Sequence, residues 1–464
     1  MTATWLLFAA YLVATTFLAW RGGQRTGDAA TFAIGGGQMN PWLVGVTLGA
    51  CLASSATFVI FPGWVYAEGL PALIGFTLPF LLGIAAGLWV LAPRFQRIGA
   101  GEGALTLPHW LGARYRDPAL RRLFSLLGLL QVAYLVLITV GCATVMEKAL
   151  GLSYEVSVVG IVVFVFGYTA FGGSYAHAFT NGLQGAVMLV MAVILFAAGW
   201  HHWADGRLLA DLAASGTTAP DSVLFSTPGE VWGVSFAMGA ALTTQPHLLT
   251  KALYVRGRQA LSVVIGTGVL TYTVYALVLF VGAYARLDLP PDLDRRAVVA
   301  TWIATALPWP MLAGAISVAI LAASMSTLDG LLVAVSTSVG NDLVPGRGTV
   351  WVNRLVLVGL AVVTVGASIS PPPLVLTVGQ MGVYGLVAAS SGPLVVGLFA
   401  RGALDGRWAR LAAIVAVGAH FGAVWGGLTA NPGVAALGAM LLSWPVAALA
   451  AVGAQRAGDV ERAA

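Results

Sequence analysis

The stretch that decides the fold runs from Pro41 to Ala67, and its centre reads Thr47-Leu-Gly-Ala50-Cys51-Leu-Ala53-Ser54-Ser55-Ala-Thr57 before Phe61-Pro62-Gly63. It is long and apolar enough to cross ~30 Å of hydrocarbon as a helix, yet small and hydroxylated residues concentrate at its middle. Irregular backbone at bilayer depth is tolerated only where it lines a cavity or is buried in protein, because lipid offers no hydrogen bonds. A helix packed tightly through its small residues has the same composition, so the stretch alone leaves both readings open. A second interruption follows five spans later, at Thr243-Thr244-Gln245-Pro246-His247 and then Lys251. Proline there removes a donor and breaks the ladder, although a simple kink would look alike. Two interrupted spans five apart point to two inverted five-helix repeats with binding sites near the midplane.

Composition agrees outward from these breaks. Of 464 residues 59% are hydrophobic and only 9% charged, with mean hydropathy +0.89, whereas a soluble domain carries roughly 25% charged residues. Apolar runs predict an all-α integral membrane protein with about thirteen spans, near 4–20, 41–67, 72–93, 123–146, 152–171, 178–199, 231–248, 261–285, 310–339, 351–369, 374–400, 409–428 and 435–452. The chain 1–464 then forms one polytopic unit. It divides into an extra N-terminal helix at 4–20, a first repeat over 41–199, a second over 231–400, and two C-terminal helices at 409–452.

The net charge of +5 needs no nucleic-acid partner. With the N-terminus outside and the C-terminus cytoplasmic, 18 of the 23 Lys and Arg residues fall inside and five outside, namely Lys148, Arg207, Arg286, Arg295 and Arg296. That asymmetry obeys the positive-inside rule, and the expected location is the plasma membrane. Cys51 and Cys142 sit in apolar runs and read as small buried hydrophobes. The first run lacks a basic leader and a cleavage site, so it is expected to be a retained helix.

A third cluster lies in the ninth span: Ala322-Ala323-Ser324-Met325-Ser326-Thr327-Leu328-Asp329-Gly330. Ala323, Ser326 and Thr327 stand at i, i+3 and i+4 and share one helical face. Two hydroxyls beside an exposed backbone carbonyl suit a hard monovalent cation. Asp329 is the only carboxylate set well inside a span. The plainer alternative has the hydroxyls bonding back to their own helix and Asp329 snorkelling to the interface.

The chain resembles the sodium:solute symporter family. The resemblance rests on Tyr168-Thr-Ala-Phe-Gly-Gly173, Asn181-Gly-Leu-Gln184-Gly185 with Met188, Gln245-Pro246-His247, and Ala322-Ala-Ser-Met-Ser-Thr327-Leu-Asp329 in that order. It implies a thirteen-helix, N-out protein with the LeuT-like five-plus-five inverted-repeat core and no cofactor beyond Na⁺ as the coupling ion. The implied sodium ligands are the carbonyls of Ala50, Ala53 and Ala323 and the hydroxyls of Ser326 and Thr327. Asn181 stands where the family usually carries an Asp that supports sodium or its route, so this departure bears on coupling strength or stoichiometry. Asn181 and Asp329 are assigned to a supporting, coupling shell, with Asp329 the one local candidate for a proton relay. The implied solute cavity is lined by Ser54, Ser55, Thr57, Gln131, Tyr134, Thr243, Thr244, Gln245 and Gln380. The segments 130–190 and 245–270 look most like the pantothenate and monocarboxylate branch, and no Arg or Lys is expected to project into the cavity. The partners implied are Na⁺, a small organic solute, by this resemblance a monocarboxylate, and the lipid bilayer.

Rival classes fare worse. A membrane enzyme needs a nucleophile–base pair or a metal cluster, and the six scattered histidines are expected to form none. A channel would show rings of charge or a carbonyl filter. A transport-fold sensor would carry a signalling domain, which the short tail after 452 does not offer. A proton-coupled or sodium-independent carrier of an amino acid or other polar metabolite remains the alternative transporter.

Overall fold

The computed structural model describes the backbone of residues 2–54, 56–307, 309–344 and 349–463. The side chains at positions 2, 3, 310, 373, 375, 376, 380 and 453–463 lie outside that description. All regular structure among the described residues is helical. In a bilayer this is forced, because a helix satisfies its own peptide groups.

The chain opens with α1 (Thr2–Gly23). The first interrupted span follows as α2 (Pro41–Leu52) and α3 (Phe61–Glu68), with α3 preceded by a wide helical turn over Ala56–Ile60. After them come α4 (Leu78–Gly101), α5 (Leu130–Leu150) and the 45-residue α6 (Tyr154–Ala198). The second interrupted span holds α7 (Ser235–Leu242) and α8 (Pro246–Leu249). Then follow α9 (Arg258–Tyr275), α10 (Pro310–Ser338), α11 (Val350–Ile369), α12 (Pro373–Phe399), α13 (Gly406–Trp425) and α14 (Pro432–Ala463).

Among the described residues ten helices are long and apolar enough to cross a membrane, and the bent pair Pro41–Leu52 with Ala56–Glu68 adds an eleventh. The expected thirteen is reached only by counting two further features as spans. One is α6, which is far longer than the ~20 residues a single crossing needs. It breaks at Gly173 (φ 50°, ψ −134°), a conformation costly for any residue with a Cβ. A Cβ there would also meet the Phe32 carbonyl at 2.5 Å. The break separates 154–172 from 174–198, close to the boundary expected between the fifth and sixth spans. The other feature is the interrupted stretch around α7 and α8.

Burial ranks the helices. In the span containing α10, 89% of the most apolar window is buried, against 28% for the windows of α1, α11 and α13. Helix α10 is therefore the central post and those three face lipid. It packs against α6, α5 and α1, and its middle meets α2. The two breaks and the polar face of α10 thus converge inside the bundle.

Candidate functional site

Helix α2 ends because Ala53 leaves helical space at φ −90°, ψ 108°, while its N–H still bonds the Gly49 carbonyl at 3.1 Å. Ser54 restarts the chain. Its Oγ accepts from the Ala56 N–H at 3.1 Å and its carbonyl accepts from the Thr57 N–H at 3.0 Å. The two helical segments meet at 55°. Ser55 lies outside the described residues.

Against this break α10 presents Ser326. Its hydroxyl lies 3.0 Å from the Ala50 carbonyl and 2.8 Å from the Ala323 carbonyl, and the Thr327 hydroxyl is 3.5 Å from the same Ala323 oxygen. All four residues are buried, as is Ala53. A serine hydroxyl has one proton, so Ser326 cannot donate to both carbonyls at once. Four oxygens from two helices thus gather where lipid and water are excluded, the chemistry by which unwound transport helices hold sodium.

One turn along α10, Asp329 is fully buried and does not snorkel to the interface. Its Oδ2 accepts from Tyr168 at 2.8 Å and Thr180 at 3.1 Å. Its Oδ1 accepts from Asn181 Nδ2 at 3.0 Å and lies 2.8 Å from His177 Nδ1. A buried carboxylate is costly unless such donors surround it. Every donor comes from α6, on both sides of its Gly173 break. Asn181 and Asp329, singled out separately in the sequence, are therefore direct partners.

His177 is the residue that sequence reasoning missed. It stands four before Asn181, so both share a face of α6, and a lone imidazole within an apolar run was the available signal. Cys51 links this network to the oxygen cluster. Its thiol donates to the Ser326 carbonyl at 3.2 Å and lies 3.7 Å from His177 Nε2. It is more than a small hydrophobe. Lys251, one of the 18 basic residues counted as inside, is 1% exposed and donates to the His247 carbonyl.

The histidines are not all scattered either. Ligand atoms of His201, His202 and Asp288 lie within 4.8 Å of one another. There His202 Nε2 is 3.0 Å from Asp288 and its Nδ1 is 3.5 Å from the Arg207 guanidinium, so the buried ring is engaged on both sides.

The expected solute-lining residues separate into groups. Gln131 Nε2 donates to Gln245 Oε1 at 2.9 Å, and Gln245 Nε2 donates to the Val383 carbonyl at 2.7 Å. Tyr134 stands beside Ser54, and Thr57 beside Tyr272. The hydroxyls of Thr243 and Thr244 bond back to the carbonyls of Ala240 and Ala241, and Thr244 also reaches Ser390 at 3.0 Å. Gln380 belongs to α12, but its side chain lies outside the described residues.

A family model described as the sodium:solute symporter family matches residues 32–409. The chain belongs to that family. It is accordingly a sodium-coupled secondary transporter and not an enzyme, with Na⁺ as the coupling ion. Among its relatives, a sodium/proline symporter of Staphylococcus aureus is 27% identical over 436 residues, covering 87% of this chain and 83% of the relative. Among solved structures, a Na⁺-coupled sialic acid symporter in a substrate-bound outward-open state superposes with a TM-score of 0.82. It is 19% identical and covers 97% of both chains. A second, MhsT in complex with L-phenylalanine, gives 0.51 at 13% identity over 89% of this chain and 97% of its own. These likenesses give this symporter the LeuT-like fold.

Proposed function

We propose that this symporter imports a small monocarboxylate together with sodium across the plasma membrane, with its N-terminus outside and its C-terminus in the cytoplasm. The observation that carries the sodium part is the convergence of Ser326 and Thr327 with the Ala50 and Ala323 carbonyls at the α2 break. The ligand set is these four oxygens with the Ala53 carbonyl. Asn181 and Asp329 support it from the adjoining turn.

The solute is read from the residues around the two breaks. Ser54, Thr57, Gln131, Tyr134, Thr243, Thr244 and Gln245 offer hydroxyls and amides, and Ser55 and Gln380 complete the proposed set. None is a carboxylate, so an amino acid's ammonium would find no ionic partner among them. Asp329 is already engaged by four residues of α6. A carboxylate held by hydroxyls, amides and the sodium ion itself needs no such partner. The Staphylococcus aureus relatives are named for proline, which makes an amino acid the reading to test beside it.

In the proposed cycle the repeats 41–199 and 231–400 move against each other, flanked by 4–20 and 409–452. External sodium stabilises the outward-open arrangement by bridging α2 and α10. Solute binding closes the outer side, and opening of the inner side releases both. Coupling exists because sodium and solute favour one shared state, and it is reciprocal.

The test is uptake into proteoliposomes of labelled monocarboxylates, pantothenate and amino acids, with and without an inward sodium gradient. Sodium-driven accumulation of a monocarboxylate is expected, and it should vanish in the Ser326→Ala/Thr327→Ala variant. Accumulation of an amino acid alone would overturn the solute assignment. Uptake that ignored sodium and followed a pH gradient would overturn the ion assignment for this chain.

A further inference from the structure

A recess of about 1020 Å³ opens at one end of α4. Three segments build it: Pro93–Leu105 at the end of α4, Leu253–Leu261 between α8 and α9, and Ala30–Gly37 ahead of α2. Gln96 fixes one wall, its buried amide donating to the carbonyls of Ala252 at 2.9 Å and Val255 at 2.7 Å. Gly37, at φ 72°, takes a conformation open to glycine, and a Cβ there would crowd Arg256 Nε at 3.3 Å.

Four arginines line the recess: Arg94, Arg97, Arg256 and Arg258. Elsewhere, Arg121, Arg207, Arg286, Arg295 and Arg410 each meet a carboxylate within 4.0 Å. Among the described residues no carboxylate pairs with any of the four in the recess. Arg94 lies over the Phe399 ring at 4.3 Å, and Arg256 donates to the Gly36 carbonyl at 3.3 Å. Those contacts orient two guanidiniums without neutralising them. Asp28, the acid nearest in sequence to the Ala30–Gly37 segment, is occupied in capping the helix that begins at Ala29. Like charges gathered in one concavity repel, and an anion that bridges them relieves the repulsion.

The place of the recess selects the anion. The span Leu70–Gly101 ends here, so the arginines lie where hydrocarbon gives way to water. The wall is also part apolar, with Ile34, Pro93, Leu253 and Leu261 beside the charges. The volume is of the size that holds small ligands, roughly 300–1000 Å³. Guanidinium forks match phosphate oxygens in pairs. We propose that this recess binds the phosphate of an anionic phospholipid headgroup, with the start of its acyl chains along the apolar wall. The lipid thereby ties the segment ahead of α2 to α4 and α9. A free phosphate would use the same guanidiniums but would leave the apolar wall unused.

The test is lipid retention by the purified full-length protein, read by native mass spectrometry after adding phosphatidylglycerol or phosphatidylcholine. Phosphatidylglycerol should be retained at least tenfold better. Replacing all four arginines with Gln should abolish that preference, while Arg122→Gln should keep it. If the quadruple variant is not recovered folded, Arg97→Gln/Arg258→Gln serves instead. Neither side chain makes a hydrogen bond or ion pair among the described residues, and this variant should weaken retention about 30-fold. Unchanged retention in the folded variants, or equal retention of both lipids, would overturn the proposal. Displacement of the lipid by millimolar inorganic phosphate would assign the site to a soluble phosphate instead.

Discussion

At Ala53 the chain leaves the helix with no proline beside it, whereas at Gln245 the following Pro246 forces it out. The residue before a proline is pushed from helical to extended backbone, and Gln245 stands at φ −59°, ψ 136°. The helix tightens as it approaches, with the N–H groups of Thr243, Thr244 and Gln245 each bonding three residues back. The second break is then filled by its own side chain, since Gln245 spans Gln131 and the Val383 carbonyl. The first break has only small side chains to offer, and its neighbour across the gap is the Ser326 hydroxyl on α10. One interruption leaves backbone oxygens beside a hydroxyl from another helix, and the other is bridged by its own glutamine side chain. On the proposed reading the two breaks therefore do different work, the first holding the ion and the second joining α5, α7 and α12 beside the proposed solute set.

The sharpest way to break this contrast is to remove the hydroxyls at the first interruption. Ser326→Ala/Thr327→Ala deletes two of the proposed ligand oxygens. With each hydrogen bond to a charged group contributing about 1.5–3 kcal/mol, apparent sodium affinity should fall at least ~100-fold in sodium-titrated uptake. A loss under tenfold would place the ion elsewhere. The second interruption should respond in another currency. Gln245→Ala strands the Gln131 amide and the Val383 carbonyl, each costing about 1–3 kcal/mol when left unpaired. Its maximal uptake should drop about tenfold and its thermal unfolding temperature should fall, while apparent sodium affinity stays within about threefold. An affinity loss equal to that of the double variant would erase the distinction between the breaks.

The oxygen cluster of the proposed ion site was partly legible in the sequence because its residues on each helix are local. Ala323, Ser326 and Thr327 announce a shared face by spacing alone, and small residues flanking Ala50 and Ala53 announce a helix that can open. What joins Asn181 to Asp329 is not local, since 148 positions separate them and only the packing of α6 on α10 brings them to 3.0 Å. His177 escaped for the same reason, because its partner lies on another helix. Lys251 was misplaced because hydropathy treats a charge near a span's end as solvated. Here the break at Gln245 carries the chain onward inside the bundle and buries it. The span count failed to settle for a related reason. Gly173 interrupts α6 without leaving a polar loop, so composition sees a division that helix continuity does not.

The smallest expected effect tests whether the first break works alone or with the Asp329 network behind it. Cys51 touches both, through the Ser326 carbonyl at 3.2 Å and the His177 ring at 3.7 Å. A thiol is a weak donor, and the carbonyl it meets is not a proposed ligand. Cys51→Ala removes that bond and one sulfur's volume while leaving the Ser326 hydroxyl, the Ala50 carbonyl and all four donors to Asp329 in place. If the network supports the site through rigid packing of α6 on α10, sodium affinity in this variant should change less than about threefold, the scale of a weak hydrogen bond of ~0.5 kcal/mol. If the thiol instead transmits the state of Asp329 to Ser326, affinity should fall more than tenfold with thermal stability almost unchanged. Sodium-titrated uptake and thermal unfolding of the one variant separate the two, because a packing role leaves affinity nearly unchanged and a lost relay lowers affinity alone.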